Sequence, residues 1–169
     1  MAFEPTKKIA DLSTGIRMAH VEAGRPGGPV VILLHGYTDT SRSFFPTIEA
    51  LLAAGTDLHV HALDLRGHGG SSMPEGANAA APEQCFGFPD MAADVIAFMD
   101  QKNIRKAHVV GHSMGAMVAQ ELALAHPDRT ESIVLIGAVA STLENEAIQG
   151  VLVPLVEQAW KSALMERKG

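Results

Sequence analysis

From residue 30 onward the chain alternates short apolar runs with segments of helical spacing, and this alternation constrains the fold most. Val30-Val31-Ile32-Leu33-Leu34 offers no polar position, so it reads as a strand covered on both faces. Leu58–Leu63, Lys106–Gly111 and Ile133–Ile136 read as three further inner strands. Between them, Ser43–Ala54 reads as a helix closing at Gly55, and Met114–Ala125 as a helix with Pro127 just beyond its end. Pro89 at a first helical position and Asp90 in the first turn open another, with Met91, Val95, Phe98 and Met99 on one face. Such an order predicts an α/β fold with a doubly wound, mostly parallel sheet and right-handed crossovers.

Upstream, Lys7–Leu12 and Ile16–Ala23 flank Ser13-Thr14-Gly15, which predicts an opening β-hairpin, and Pro26-Gly27-Gly28-Pro29 is a turn. Downstream, Leu155, Val156, Ala159, Trp160, Ala163 and Leu164 recur at helical spacing after a break at Pro154. Ligands of open parallel sheets bind at the carboxyl ends of the strands. Chemistry is therefore expected just after Leu34, Leu63, Val110 and Ile136.

Composition removes several classes of function. The 169 residues are 47% apolar, enough for one domain with its own core. A net charge of −6 without any Lys/Arg block excludes a nucleic-acid footprint or an anionic-membrane patch. Cys85 is the only cysteine, so neither a disulfide framework nor a thiolate metal cluster is expected. The start lacks a basic stretch followed by an apolar one, and no apolar run could span a bilayer. A soluble, cytoplasmic protein with no membrane partner is the expectation.

The motif that carries chemistry is Gly111-His112-Ser113-Met114-Gly115. The bare G-x-S-x-G pattern is weak, and its setting strengthens it: Ala107-His108-Val109-Val110 precedes it as a strand and Ala116–Glu121 continues it as a helix. A serine on so tight a strand-to-helix turn is held in a strained conformation that pushes its hydroxyl into the open, while Gly111 and Gly115 let backbone pass without Cβ clashes. The helix N-terminus behind it offers a partial positive charge and a spare N–H to a developing oxyanion. The plain alternative is an ordinary Ser N-cap after a Gly turn.

Acyl transfer needs a second oxyanion donor from a neighbouring loop. His35-Gly36-Tyr37-Thr38-Asp39 follows the first inner strand, so the expected donors are the backbone N–H groups of Tyr37 and Met114, with Gly36 allowing close approach. Asp64-Leu65-Arg66-Gly67-His68-Gly69-Gly70-Ser71-Ser72 looks superficially like a phosphate loop. It is not G-x-G-x-x-G and leads into Met73-Pro74-Glu75-Gly76 rather than a helix. It reads better as a structural turn whose Asp and Arg organise the rim of the site. His59 and His61 share a strand face like a metal pair, but with no third ligand in view a packed or hydrogen-bonded role is favoured.

Together these segments resemble the α/β-hydrolase family, and within it the serine esterase, lactonase and carbon–carbon-bond hydrolase branch. The likeness covers residues 20 to 140 and includes Ala125-His126-Pro127-Asp128-Arg129 before the fourth inner strand. The resemblance implies Ser113 as catalytic nucleophile, a small-molecule ester-like substrate, and no cofactor or metal. Because the elbow residue is Ser113 and not Asp, the dehalogenase and epoxide-hydrolase branches, which use an aspartate nucleophile, are disfavoured.

In this family the triad runs Ser, then Asp or Glu, then His along the chain. No His follows His126 here. The expectation is therefore a core over residues 1–140 and the start of lid or cap helices over 141–169, with the sheet truncated after about its sixth strand. Glu144 and Glu146 could stand in for the acid, and His35 is the nearest substitute base; His112 is expected to point away from the reactive turn, and His68 to sit in the rim loop. A catalytically silent binding or assembly module is the competing reading. The missing strand would leave an apolar edge at Ile133–Ile136, to be covered by Leu143–Arg167 or paired with a second copy as a homo-oligomer.

Overall fold

The computed structural model describes residues 5–77 and 85–138. The predicted hairpin is present: β1 (Lys8–Asp11) pairs antiparallel with β2 (Arg17–Gly24). The inner strands follow as β3 (Val30–Leu34), β4 (His59–Leu63), β5 (Ala107–His112) and β6 (Thr130–Ile136). Helices α1 (Phe45–Ala53), α2 (Phe88–Gln101) and α3 (Met114–Ala125) connect them. One 3-10 turn over Ser41–Phe44, capped by the Thr40 side chain on the Arg42 N–H, leads into α1. Pro89 falls one position inside the start of α2, where its missing N–H still costs no helical bond.

The sheet order is β1-β2-β4-β3-β5-β6. β4, β3, β5 and β6 are parallel, while β2 lies antiparallel along β4. The chain thus leaves β3 to one side to form β4, then returns to its other side to form β5. Between β3 and β5 the winding direction reverses, which is where open parallel sheets bind their ligands.

Helices cover both faces, which is why β3 carries no polar residue. On one, Val31, Leu33, Val60 and Ala62 pack with Phe44 and Ile48 of the α1 segment. On the other, Ile32, Leu34, Leu63 and Val109 pack with Met91, Val95, Phe98 and Met99 of α2 and Val118, Ala119 and Leu122 of α3. The four α2 residues expected on one face are all buried.

β6 sits at the sheet edge, and Ile133, Val134, Leu135 and Ile136 are exposed among the described residues. The segment expected to cover them (Leu143–Arg167), the helical pattern at 155–164, Glu144 and Glu146 all lie outside the described residues. No helix among the described residues is long and apolar enough to cross a membrane.

Candidate active site at the β3 and β5 strand ends

Ser113 stands between the last residue of β5 and the first of α3, with φ 50° and ψ −113°. A non-glycine residue there sits in a basin that Cβ sterics make costly, by roughly 1–3 kcal/mol. The conformation is locked from both sides: the Ser113 N–H donates to the Ile136 carbonyl at 2.8 Å, and the Ala116 N–H donates back to the Ser113 carbonyl at 3.0 Å. The residue is exposed.

The two flanking glycines are steric requirements. A Cβ on Gly111 would lie 2.2 Å from the Gly115 carbonyl oxygen, and one on Gly115 would lie 2.2 Å from that of Leu34. Strand β5, helix α3 and the end of β3 therefore meet backbone to backbone at the elbow. A Cβ on Gly36 would meet the His112 Nδ1 at 3.0 Å and the Ser113 Cβ at 3.3 Å. The loop carrying His35, Gly36 and Tyr37 thus lies against the serine, and Tyr37 and Met114 are both partly buried. Thr38 takes a positive φ of 60° in the same turn.

Two expectations about histidines change. His112 was expected to point away, yet its ring lies over Gly36 beside Ser113 and is exposed. The positive φ at Ser113 breaks the strand alternation, so residues 112 and 113 both reach the same glycine. His35 is fully buried, and its ring is engaged at both nitrogens, Nδ1 with the Gly36 carbonyl at 2.7 Å and Nε2 accepting from the Leu65 N–H at 3.0 Å. Burial also lowers its pKa. It ties the β3 and β4 loops together and is not placed as a substitute base.

The 64–72 turn builds the rim, as expected. Asp64 is fully buried and accepts from the Lys7 ammonium, from the Ser41 N–H at 2.8 Å and from the Gly70 N–H at 2.8 Å. Burial pushes its carboxyl up, but these donors outweigh burial and hold it below the usual carboxylate range. Gly69 is required here, because a Cβ would lie 2.2 Å from the Asp64 Oδ2. Arg66 forks onto Asp94 of α2, Nε to Oδ2 at 2.6 Å and Nη2 to Oδ1 at 2.8 Å. Its remaining donors reach the Cys85 and Asp90 carbonyls, and Thr14 of the hairpin turn donates to the same Asp94 at 2.6 Å. His68 packs edge-on against His35, with ring centroids 5.0 Å apart.

The described residues thus bring together Ser113, Gly36, Tyr37, Met114 and His112, with His35 and the Asp64–Arg66 turn as support. A model of the alpha/beta hydrolase fold family matches residues 29–164. The chain belongs to the α/β-hydrolase family. It is 38% identical over 136 residues to epoxide hydrolase A of Mycobacterium tuberculosis, covering 80% of this chain and 39% of that protein. It is 38% identical over 132 residues, 78% of this chain and 32% of the relative, to the dihydrolipoyllysine-residue acetyltransferase component of the acetoin cleaving system of Cupriavidus necator. The crystal structure of epoxide hydrolase A from Mycobacterium thermoresistibile superposes with a TM-score of 0.68 at 35% identity, covering 78% of this chain and 39% of that one. This α/β-hydrolase chain therefore spans about 39% of the length of such relatives.

A second cluster was missed from the sequence. His59 and His61 are joined by Glu22 and His20 of β2, because the antiparallel register sets Glu22 opposite His61 and His20 opposite Leu63. Glu22 and His20 come from a strand about 40 residues earlier, and only the pairing register could have found them.

Proposed function

We propose that this protein is a serine hydrolase of carboxylic esters or lactones, working through an acyl-Ser113 intermediate without a cofactor. The observation that carries the reading is the exposed Ser113 at φ 50°, ψ −113° on a glycine-flanked elbow, at the point where the winding reverses. In this mechanism the Ser113 Oγ attacks the carbonyl carbon as its proton passes to a general base. The Tyr37 and Met114 N–H groups stabilise the tetrahedral oxyanion. The C–O bond then breaks, the departing alkoxide takes the proton, and water repeats the sequence on the acyl group. The base is a histidine, which the family order of nucleophile, acid and His sets downstream of the elbow; His35 is committed to backbone and does not serve. Residues 1–140 are then the core and 141–169 the start of its lid.

Two of the relatives named above are epoxide hydrolases, which favours a second reading, epoxide opening by the same pocket. Ser113 weighs against it: an acyl-serine ester is readily hydrolysed, whereas opening an epoxide with an alkoxide leaves an ether that water does not cleave. The test is active-site labelling of the encoded protein with a fluorophosphonate, together with turnover of p-nitrophenyl acetate and styrene oxide. Labelling at Ser113 and ester turnover, both lost in Ser113→Ala, are the expected results. Styrene oxide turnover without serine labelling would establish the epoxide reading, and inertness in every assay would leave a silent binding module.

A further inference from the structure

His20 and His61 lie under α2, on the face of the sheet opposite α1, with 0% and 1% of their surfaces exposed. Among the described residues, neither ring nitrogen of either has a hydrogen-bond partner. A buried polar group left unsatisfied costs roughly 1–3 kcal/mol, so paired orphan imidazoles are an expensive arrangement unless something else occupies their lone pairs. Glu22 supplies the counter-charge. One of its oxygens and one nitrogen from each of His20 and His61 all lie within 4.8 Å of one another.

From this geometry we propose that His20, Glu22 and His61 form a structural binding site for a divalent transition-metal ion of the zinc class, tying β2 to β4. Two imidazoles and a carboxylate are a donor set such ions favour, and water completes the coordination. Ligand distances of about 2.0–2.2 Å require the three donors to close in by about an ångström, within reach of side-chain rotation. His59 is placed as the supporting partner: its Nε2 holds the Glu22 Oε1 at 2.9 Å and fixes the carboxylate orientation. Lys8 holds the other oxygen at 2.8 Å and is the competing cation in the metal-free protein. Glu22, His59 and His61 also line a cleft of ≈800 Å³, which gives the ion a way in. The site faces away from the Ser113 elbow: His61 lies within β4 rather than in a loop at its carboxyl end, and no step of the proposed hydrolysis uses it.

The plain alternative treats both histidines as filler, edge-on to Phe98 with ring centroids 4.9 and 5.4 Å away. The two readings separate on metal binding. Untagged protein would be stripped with EDTA, loaded with Zn²⁺, desalted and assayed for retained zinc by atomic emission, with thermal unfolding followed in parallel. The expected result is one zinc per chain and a midpoint several degrees higher, reversed by EDTA. Glu22→Gln, which keeps the shape of the side chain, should weaken binding at least tenfold, and His20→Phe with His61→Phe should abolish it. Lys8→Met should tighten binding, which filler histidines give no reason to expect. Retained zinc below a tenth of an equivalent, or equal retention by wild type and all variants, would overturn the proposal.

Discussion

A Cβ on Gly115 would sit 2.2 Å from the carbonyl oxygen of Leu34, so the first turn of α3 rests on the end of β3 with no side chain between them. The same contact sets the height of Ser113 above the sheet. Gly115→Ala cannot be absorbed by a rotamer change, because the opposing atom is backbone. It should cost about 1–3 kcal/mol in urea unfolding. Lifting α3 by a fraction of an ångström also moves the Met114 N–H, so ester turnover should drop by about tenfold or more. Wild-type kcat/KM in a folded Gly115→Ala protein would show that this contact does not position the elbow.

The Arg66–Asp94 pair makes a different prediction. Both side chains are buried, and Asp94 also accepts from Thr14, so one carboxylate links the hairpin turn, the 64–72 rim and α2. Removing one charge strands the other in a low-dielectric setting. Asp94→Ala should cost about 3–5 kcal/mol, while Arg66→Met with Asp94→Leu should recover much of that loss. If the double variant is no more stable than Asp94→Ala, the pair does more than neutralise itself.

What the sequence revealed and what it hid follow one physical line. β3 was legible because five successive apolar residues leave neither face fit for water, and α3 because glycine and proline bracket it. The elbow was legible because its chemistry is written in five consecutive residues. The polar interior was not. Asp64 meets Lys7 and Ser41, Asp94 meets Thr14 and Arg66, and Glu22 meets His59, all across sequence gaps that only strand pairing closes. His112 was misplaced for a local reason: alternation was extended one residue into a turn whose positive φ breaks it.

Acid should destabilise the fold early. Burial, reinforced by the Lys102 cation, lowers the His20 pKa to about 4. Burial, with His59 beside it, lowers that of His61 to about 3, and burial lowers that of His35. In the unfolded chain each titrates near 6.5. Below that pH the unfolded state binds protons that the folded state refuses, so this stability is complete above about 6.5 and is lost as pH falls. The groups facing the His20–His61 pair are Lys8, Glu22, His59 and Lys102. Glu22, held low chiefly by its bond from Lys8, adds its own loss only below its unfolded value near 4.5. Between pH 6.5 and 4.5 His20 and His61 should each contribute up to about 1.4 kcal/mol per pH unit. Replacing His20 and His61 by Phe should flatten most of that slope in metal-free protein, leaving the part due to His35. An unchanged slope would mean that the two rings charge without cost.

The last prediction separates strain from chemistry at Ser113. Its φ of 50° and ψ of −113° lie where glycine is at ease and an L-residue is not. Ser113→Ala removes the hydroxyl but keeps the Cβ, so activity should vanish while stability barely moves. Ser113→Gly removes both. Relief of roughly 1–3 kcal/mol of strain is offset by about 0.5–1 kcal/mol of added freedom in the unfolded chain. The net expectation is a glycine variant about 1 kcal/mol more stable than wild type and equally dead toward p-nitrophenyl acetate. Such an outcome would mean the fold holds an unfavourable backbone geometry for the sake of the hydroxyl it presents. A glycine variant less stable than the alanine one would show that residue 113 is relaxed where it stands, and the strain argument for its role as nucleophile would go with it.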